Sequence, residues 1–186
     1  VFHDAELDRL TGERGPVAER SVGELTRIRL GGTDDGIPTL RDLLALIAGR
    51  APLLIELKTH RESPVAPLCL SVRNDLEGYR GPHAVMSFDP RVVRWFSVHS
   101  PLTQRGLVMT EEDDKALPGM IRRHLWMWHA KPQFLAYDIR DLPSRFAQAQ
   151  RKRGLPLLTW TVRSPELAER AAEHADAPIA EGAGVL

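Results

Sequence analysis

From Pro52 onward the chain alternates between two textures, and that alternation restricts its fold more than any other feature. Six short apolar runs, bounded by Gly, Pro or polar turns, recur along it: Leu53–Leu57, Ala84–Phe88, Gly106–Met109, Phe134–Tyr137, Leu155–Val162 and Ala177–Ala180. Their length and bounding residues make them strands, and the stretches between them have helical period. Runs this apolar predict strands covered on both faces, as in a parallel sheet. Strand–helix alternation restricts the choice to an α/β fold, either an open doubly wound sheet or a closed barrel.

The helices carry start and stop signals. Ser21 with Glu24 forms a capping box before Leu25 and Ile28. Thr39 precedes an apolar stripe of Leu40, Leu43, Leu44 and Ile47, and Gly49 is placed to end that helix. Ser144 caps Arg145–Lys152, and Ser164 before Pro165 is an N-cap followed by a first-turn proline. A further helix is read near Ala116–Trp128, with Pro118-Gly119 at its start. Thr33–Gly36 reads as a turn, not a domain boundary. No GxGxxG or GxxxxGK[ST] loop follows any strand, which weighs against a doubly wound nucleotide-binding sheet.

At 186 residues the chain suits one domain with a real core. Its 25 basic and 25 acidic residues cancel, so bulk charge does not indicate a nucleic-acid partner or an acidic membrane. No apolar run is long enough to span a bilayer. The single cysteine, Cys69, lies in the apolar stretch Val65–Val72 and reads as a buried structural thiol. One cysteine cannot close an internal disulfide or build a thiolate zinc site, so any metal must take oxygen or imidazole ligands.

In a barrel the reactive groups project from the carboxyl ends of the strands. The first apolar run ends Ile55-Glu56-Leu57-Lys58. Glu56 and Lys58 are two apart and share a side of the strand. Charges carried inward are costly unless paired or bound to an ion. A carboxylate beside an ammonium suits a hard cation with an anionic substrate; a salt bridge at the barrel mouth is the structural alternative. His3 ends an opening strand-like segment and suits proton transfer near neutral pH. Trp160, in Leu158–Val162, is either core or a wall for an apolar substrate part. Asp89 caps the helix that starts at Pro90, and the role of Asp138 is open. Arg122–His129, with His124, Trp126, Trp128 and His129, reads as an aromatic packing helix, because histidines five apart do not share a helical face.

Five landmarks in order resemble one family. They are His3-Asp4-x-x-Leu7-Asp8-Arg9-x-Thr11-Gly12 with Gly15-x-Val17 and Glu24-Leu25, then Ile37-Pro38-Thr39-Leu40, Ile55-Glu56-Leu57-Lys58, Ser87-Phe88-Asp89 and Thr159-Trp160-Thr161-Val162. Together they resemble the glycerophosphodiester phosphodiesterases over nearly the whole chain. The resemblance implies a (β/α)8 TIM-type barrel with a divalent cation, Mg2+ or Ca2+, at its mouth. It implies a substrate such as glycerophosphocholine, cleaved to glycerol 3-phosphate and an alcohol in lipid and glycerol metabolism. It makes His3 one of two acid–base histidines, Glu56 a metal ligand, and Lys58, Trp160 and Phe88 substrate contacts.

The family's His-Arg-Gly and Glu-x-Asp motifs are not in the sequence. The six strands are accordingly expected to be the third to eighth of the barrel, with the first two strands lacking and the chain by itself inactive. The last strand is followed by Glu181-Gly182 where the family often has an aspartate. Two other readings stay open: an inactive barrel that binds a phosphodiester or a protein, and another barrel phosphodiesterase of sphingomyelinase or phospholipase C type. The latter would need a membrane-facing rim or disulfides; one cysteine and an Arg-rich surface favour a cytoplasmic enzyme.

Overall fold

The computed structural model describes residues 2–60, 62–112 and 115–182. The chain divides into two compact units, Val1–Ala51 with Asn74–Gly81, and Pro52–Arg73 with Pro82–Leu186.

The first unit is mostly turns joined by isolated antiparallel bridges, Glu6 to Pro16, Thr11 to Leu30 and Arg29 to Gly36. The turn at Thr33–Gly36 is closed by the Leu30 N–H bonding to the Asp35 carbonyl at 2.9 Å. Helix α1 (Val22–Leu25) has the full Ser21–Glu24 capping box but lasts one turn and stops short of Ile28. Helix α2 (Leu40–Ile47) has a second box, Thr39 with Asp42. It ends where the glycine signal places it: Ala48 caps it in the left-handed conformation at φ 48°, and Gly49 follows at φ 75°. The Gly49 N–H then bonds to the Tyr79 hydroxyl at 3.2 Å.

The second unit holds six parallel strands: β1 (Leu53–Glu56), β2 (His83–Ser87), β3 (Gln104–Met109), β4 (Phe134–Asp138), β5 (Leu157–Val162) and β6 (Ala177–Ala180). Each expected run is a strand, with ends shifted by up to two residues. Between them run α3 (Ala66–Leu76), α4 (Pro90–His99), α5 (Leu117–Ala130), α6 (Arg145–Lys152) and α7 (Pro165–His174). Strand order in the sheet is the order in the chain. A doubly wound sheet must reverse direction at a switch point, and this one never does. Right-handed crossovers that all progress one way put every helix on one face. The other face is then left without helices and must be covered by curling the sheet.

The packing agrees. Leu107, Met109, Leu135, Tyr137 and Leu157 point outward into one core cluster with Val93, Phe146 and Ala171 of the helices. The alternate residues Met86, Val108, Phe134 and Ala136 form a second cluster with Leu158, Trp160 and Ile179. Phe88 and Trp160 meet with ring centroids 5.3 Å apart. In a flat sheet, sites at β2 and β5 would be about 14 Å apart at three strand spacings. The concave face needs room, and Gly106 supplies it: a Cβ there would collide with the Phe134 ring of the paired strand.

Burial on both faces holds in the middle of the sheet, where every residue of β4 is buried, but not in the end strands β1 and β6. Cys69 is fully buried in α3, and burial together with the charge of Asp89 pushes its thiol up to about 11. Helix α5 departs from expectation. Pro118 sits in its first turn without interrupting it, Trp126 and Met127 pack inward, and Trp128 faces outward at 77% exposure. Leu117, Ile121 and Leu125 share that outward face. Among the described residues no helix is long and apolar enough to cross a membrane.

Candidate active site

The carboxyl end of β1 carries the charged pair that the sequence singled out. Leu57, between the two charges, is buried and locked to β2 through its N–H to the Met86 carbonyl at 2.8 Å. Strand alternation then turns Glu56 and Lys58 to the opposite side together. Lys58 Nζ donates to Glu56 Oε1 at 2.6 Å. The side chains are 47% and 24% exposed, so the pair contributes at most about 1 kcal/mol to stability and is cheap to open toward a ligand.

Each residue of Ser87-Phe88-Asp89 supports that pair differently. The buried Ser87 hydroxyl donates to the Leu57 carbonyl at 2.7 Å, tying β2 to the bond between the two charges. Asp89 caps α4, accepting the Arg91 N–H at 2.8 Å, the Arg91 guanidinium at 2.7 Å and the Thr59 hydroxyl at 2.9 Å. Burial pushes the Asp89 carboxyl up, but these hydrogen bonds outweigh it and hold it below the usual carboxylate range. Phe88 presents its ring to Lys58, whose Nζ lies 5.5 Å from the centroid. Across the concave face Trp160 meets Phe88 edge-on, at 78° between the ring planes, and its indole N–H donates to the Ala136 carbonyl at 3.0 Å.

Four of the five expected residues, Glu56, Lys58, Phe88 and Trp160, therefore form one connected array on the concave side of the strands' carboxyl ends. The fifth, His3, belongs to the first unit. Its imidazole is 70% exposed and its Nδ1 lies 3.1 Å from Asp4 Oδ1. Asp4 is gripped by Arg9 at 2.6 and 2.8 Å, and Arg9 first, then His3, lowers its carboxyl to about 2. An ionised carboxylate only accepts, so this contact suits the tautomer that carries its proton on Nδ1.

The ends of β3 and β4 carry functional-looking residues that sequence reasoning missed or left open. Asp138 caps the short 3-10 turn Ile139–Asp141 and holds Arg140 at 2.6 Å, and Arg140 continues to Glu112 at 3.0 Å. Glu111 turns inward to accept the Tyr137 hydroxyl at 2.6 Å and the Ser144 hydroxyl at 2.5 Å, with Arg123 at 3.8 Å. Burial and the neighbouring Glu111 push the Tyr137 phenol up. Asp141 accepts the Glu111 N–H and the Thr110 hydroxyl. Thr110, Glu112, Lys115, Arg140 and Asp141 line an open recess of about 270 Å3. The repeated spacing Asp89-x-Arg91 and Asp138-x-Arg140 was the available signal for the two turn clamps.

Among the described residues no three His, Cys, Asp or Glu side chains converge to hold a metal. Glu56 alone does not satisfy a hard cation, which takes six or more oxygens. The described residues do not by themselves fit a Mg2+ or Ca2+ site.

The family model for the glycerophosphoryl diester phosphodiesterase family matches residues 1–181. Among solved structures, a phosphodiesterase from Oleispira antarctica in complex with the product sn-glycerol-3-phosphate superposes with a TM-score of 0.79. It is 20% identical, and the match covers 96% of this chain and 74% of that one. A glycerophosphodiester phosphodiesterase from Parabacteroides distasonis gives 0.74, with 18% identity over 96% of this chain and 72% of that one. A Silicibacter pomeroyi protein assigned to the glycerophosphoryl diester phosphodiesterases gives 0.78, with 23% identity over 98% and 75%. No curated protein matches at a significant level. The family model spans nearly the whole chain, residues 1–181: it belongs to the glycerophosphoryl diester phosphodiesterase family.

Proposed function

We propose that this protein hydrolyses a glycerophosphodiester, such as glycerophosphocholine, to glycerol 3-phosphate and an alcohol. The observation that carries the reading is the Glu56–Lys58 pair at the carboxyl end of β1, half-open to solvent and bordered by Phe88 and Trp160. Membership of the family supports the reaction class. Hydrolysis adds water across a P–O bond: the water oxygen bonds to phosphorus and the departing alkoxide takes up a proton. In this reading Lys58 meets a phosphoryl oxygen and stabilises charge that builds in the transition state. Trp160 and Phe88 border the carbon skeleton, and His3, oriented by Asp4, transfers a proton. Dependence on Mg2+ or Ca2+ is proposed from the family resemblance, with Glu56 as the ligand assigned to it. A cytoplasmic setting belongs to the same reading.

One observation favours a second reading, a barrel that binds a phosphodiester without cleaving it: Glu56 and Lys58 satisfy each other, and no further carboxylate or imidazole among the described residues joins them in a metal-holding group. An assay for glycerol 3-phosphate released from glycerophosphocholine separates the two, run with Mg2+, with Ca2+ and with chelator, on the protein extended upstream to include the His-Arg-Gly and Glu-x-Asp motifs that the resemblance implies, as wild type, Glu56→Ala and His3→Ala. Metal-dependent turnover lost in both variants is the expected result. A folded protein that binds the diester but never releases glycerol 3-phosphate would overturn hydrolysis in favour of binding.

A further inference from the structure

We infer that Phe88 is a positioning residue: its ring holds the Lys58 ammonium at the mouth of the sheet, and Trp160, anchored on the Ala136 carbonyl, holds the ring. The catalytic consequence rests on the reading of Lys58 as the phosphate-facing cation; the placement of Lys58 does not.

A lysine head is carried on a flexible four-carbon stem, so it keeps one position only if outside contacts fix it. Among the described residues Lys58 has two such contacts, the Glu56 carboxylate at 2.6 Å and the Phe88 ring at 5.5 Å. A ligand that draws Glu56 away leaves the ring as the contact that persists. Phe88 is itself held from three sides. Ser87 before it is bonded to Leu57, Asp89 after it caps α4, and its ring meets Trp160 at 5.3 Å. Trp160 is fixed by its indole bond to Ala136, one strand away. Phe88 is 38% exposed, with the Lys58 ammonium over its ring. The array thus links β4 and β5 to an ammonium just past the carboxyl end of β1.

The chain has four lysines, so the Cε–Hε signals of Lys58 can be assigned by NMR with Lys58→Met. In the wild type those protons are expected upfield of the other three lysines, through the ring current of Phe88. Phe88→Leu should abolish the shift, Phe88→Tyr should keep it, and Trp160→Leu should reduce it. In the glycerophosphocholine assay Phe88→Leu should lower kcat/KM about two- to fivefold, the range for a partly exposed cation–π contact. Phe88→Tyr should restore it, and Phe88→Leu should cost less in a Lys58→Met background than in the wild type. An unshifted Lys58 signal in the wild type, or a loss of equal size in the Lys58→Met background, overturns the inference. If the wild type has no turnover, the proposed function fails while the NMR signal still decides the positioning role.

Discussion

After β2 and after β4 the chain makes the same turn. Asp89-Pro90-Arg91 and Asp138-Ile139-Arg140 each use an aspartate that caps the following turn of helix and grips the arginine two residues on. Around these matching clamps the two regions differ. Beside β4 the charges are closed upon themselves: Arg140 spans Asp138 and Glu112, and Glu111 is enclosed by Tyr137, Ser144 and Arg123. Beside β2, Glu56 and Lys58 have one another, a ring and water. A network anchored on the buried Tyr137, Asp138 and Ser144 is expensive to rearrange, whereas a half-solvated pair exchanges partners at small cost. The first arrangement fixes loops, and the second is suited to meet a ligand.

Substitutions can break that contrast. The largest effect is expected on activity from Lys58→Met, a fall in kcat/KM of about 10²- to 10³-fold, the scale for losing one preorganised charge contact. Its thermal midpoint should barely move, because the pair is half-exposed; calorimetry beside the assay checks both halves. Glu111→Ala reverses the pattern. It takes an acceptor from the Tyr137 and Ser144 hydroxyls and should destabilise by about 2 kcal/mol in urea titrations, with activity per folded molecule preserved. A Glu111→Ala protein of normal stability would mean that the network beside β4 is not structural.

Asp89→Ala removes a cap and should cost about 1 kcal/mol. The folded Asp89 carboxyl lies below its ordinary value, so the folded state binds fewer protons than the unfolded one, and its stabilisation is present above that ordinary value. The difference between wild type and Asp89→Asn should therefore fade as pH falls from the ordinary carboxylate value through the depressed one. A difference that persists at the acid end would assign it to shape and not to charge. The smallest effect belongs to Glu112→Ala, which cuts only the 57% exposed outer arm of the Arg140 bridge and should change stability by about 0.5 kcal/mol or less.

Local chemistry was legible where a signal needs only neighbouring residues. The capping boxes at Ser21 and Thr39 and the caps at Asp89, Ser144 and Ser164 form because each side chain meets an N–H two or three residues away. Gly49 follows the end of α2 at a positive φ, as its place in the sequence implies. A misreading came where distant packing decides. Trp128 looked like packing material, yet the register of α5 turns Trp126 inward and leaves Trp128 outside. The concealed partners Ser87–Leu57 and Tyr137–Glu111 are 30 and 26 residues apart, beyond any local spacing rule.

By itself the sequence determined the six strands, most of their helices, the family and the shared side of Glu56 and Lys58, because period, caps and motif order are properties of short segments. Only the tertiary structure decided that the sheet is wound in one direction and curls until Phe88 reaches Trp160. It also decided which charges close on each other and which stay open. The physical reason is that curl and charge closure are set by which strands pair and how their two faces are filled, and strand pairing joins residues that no local pattern relates.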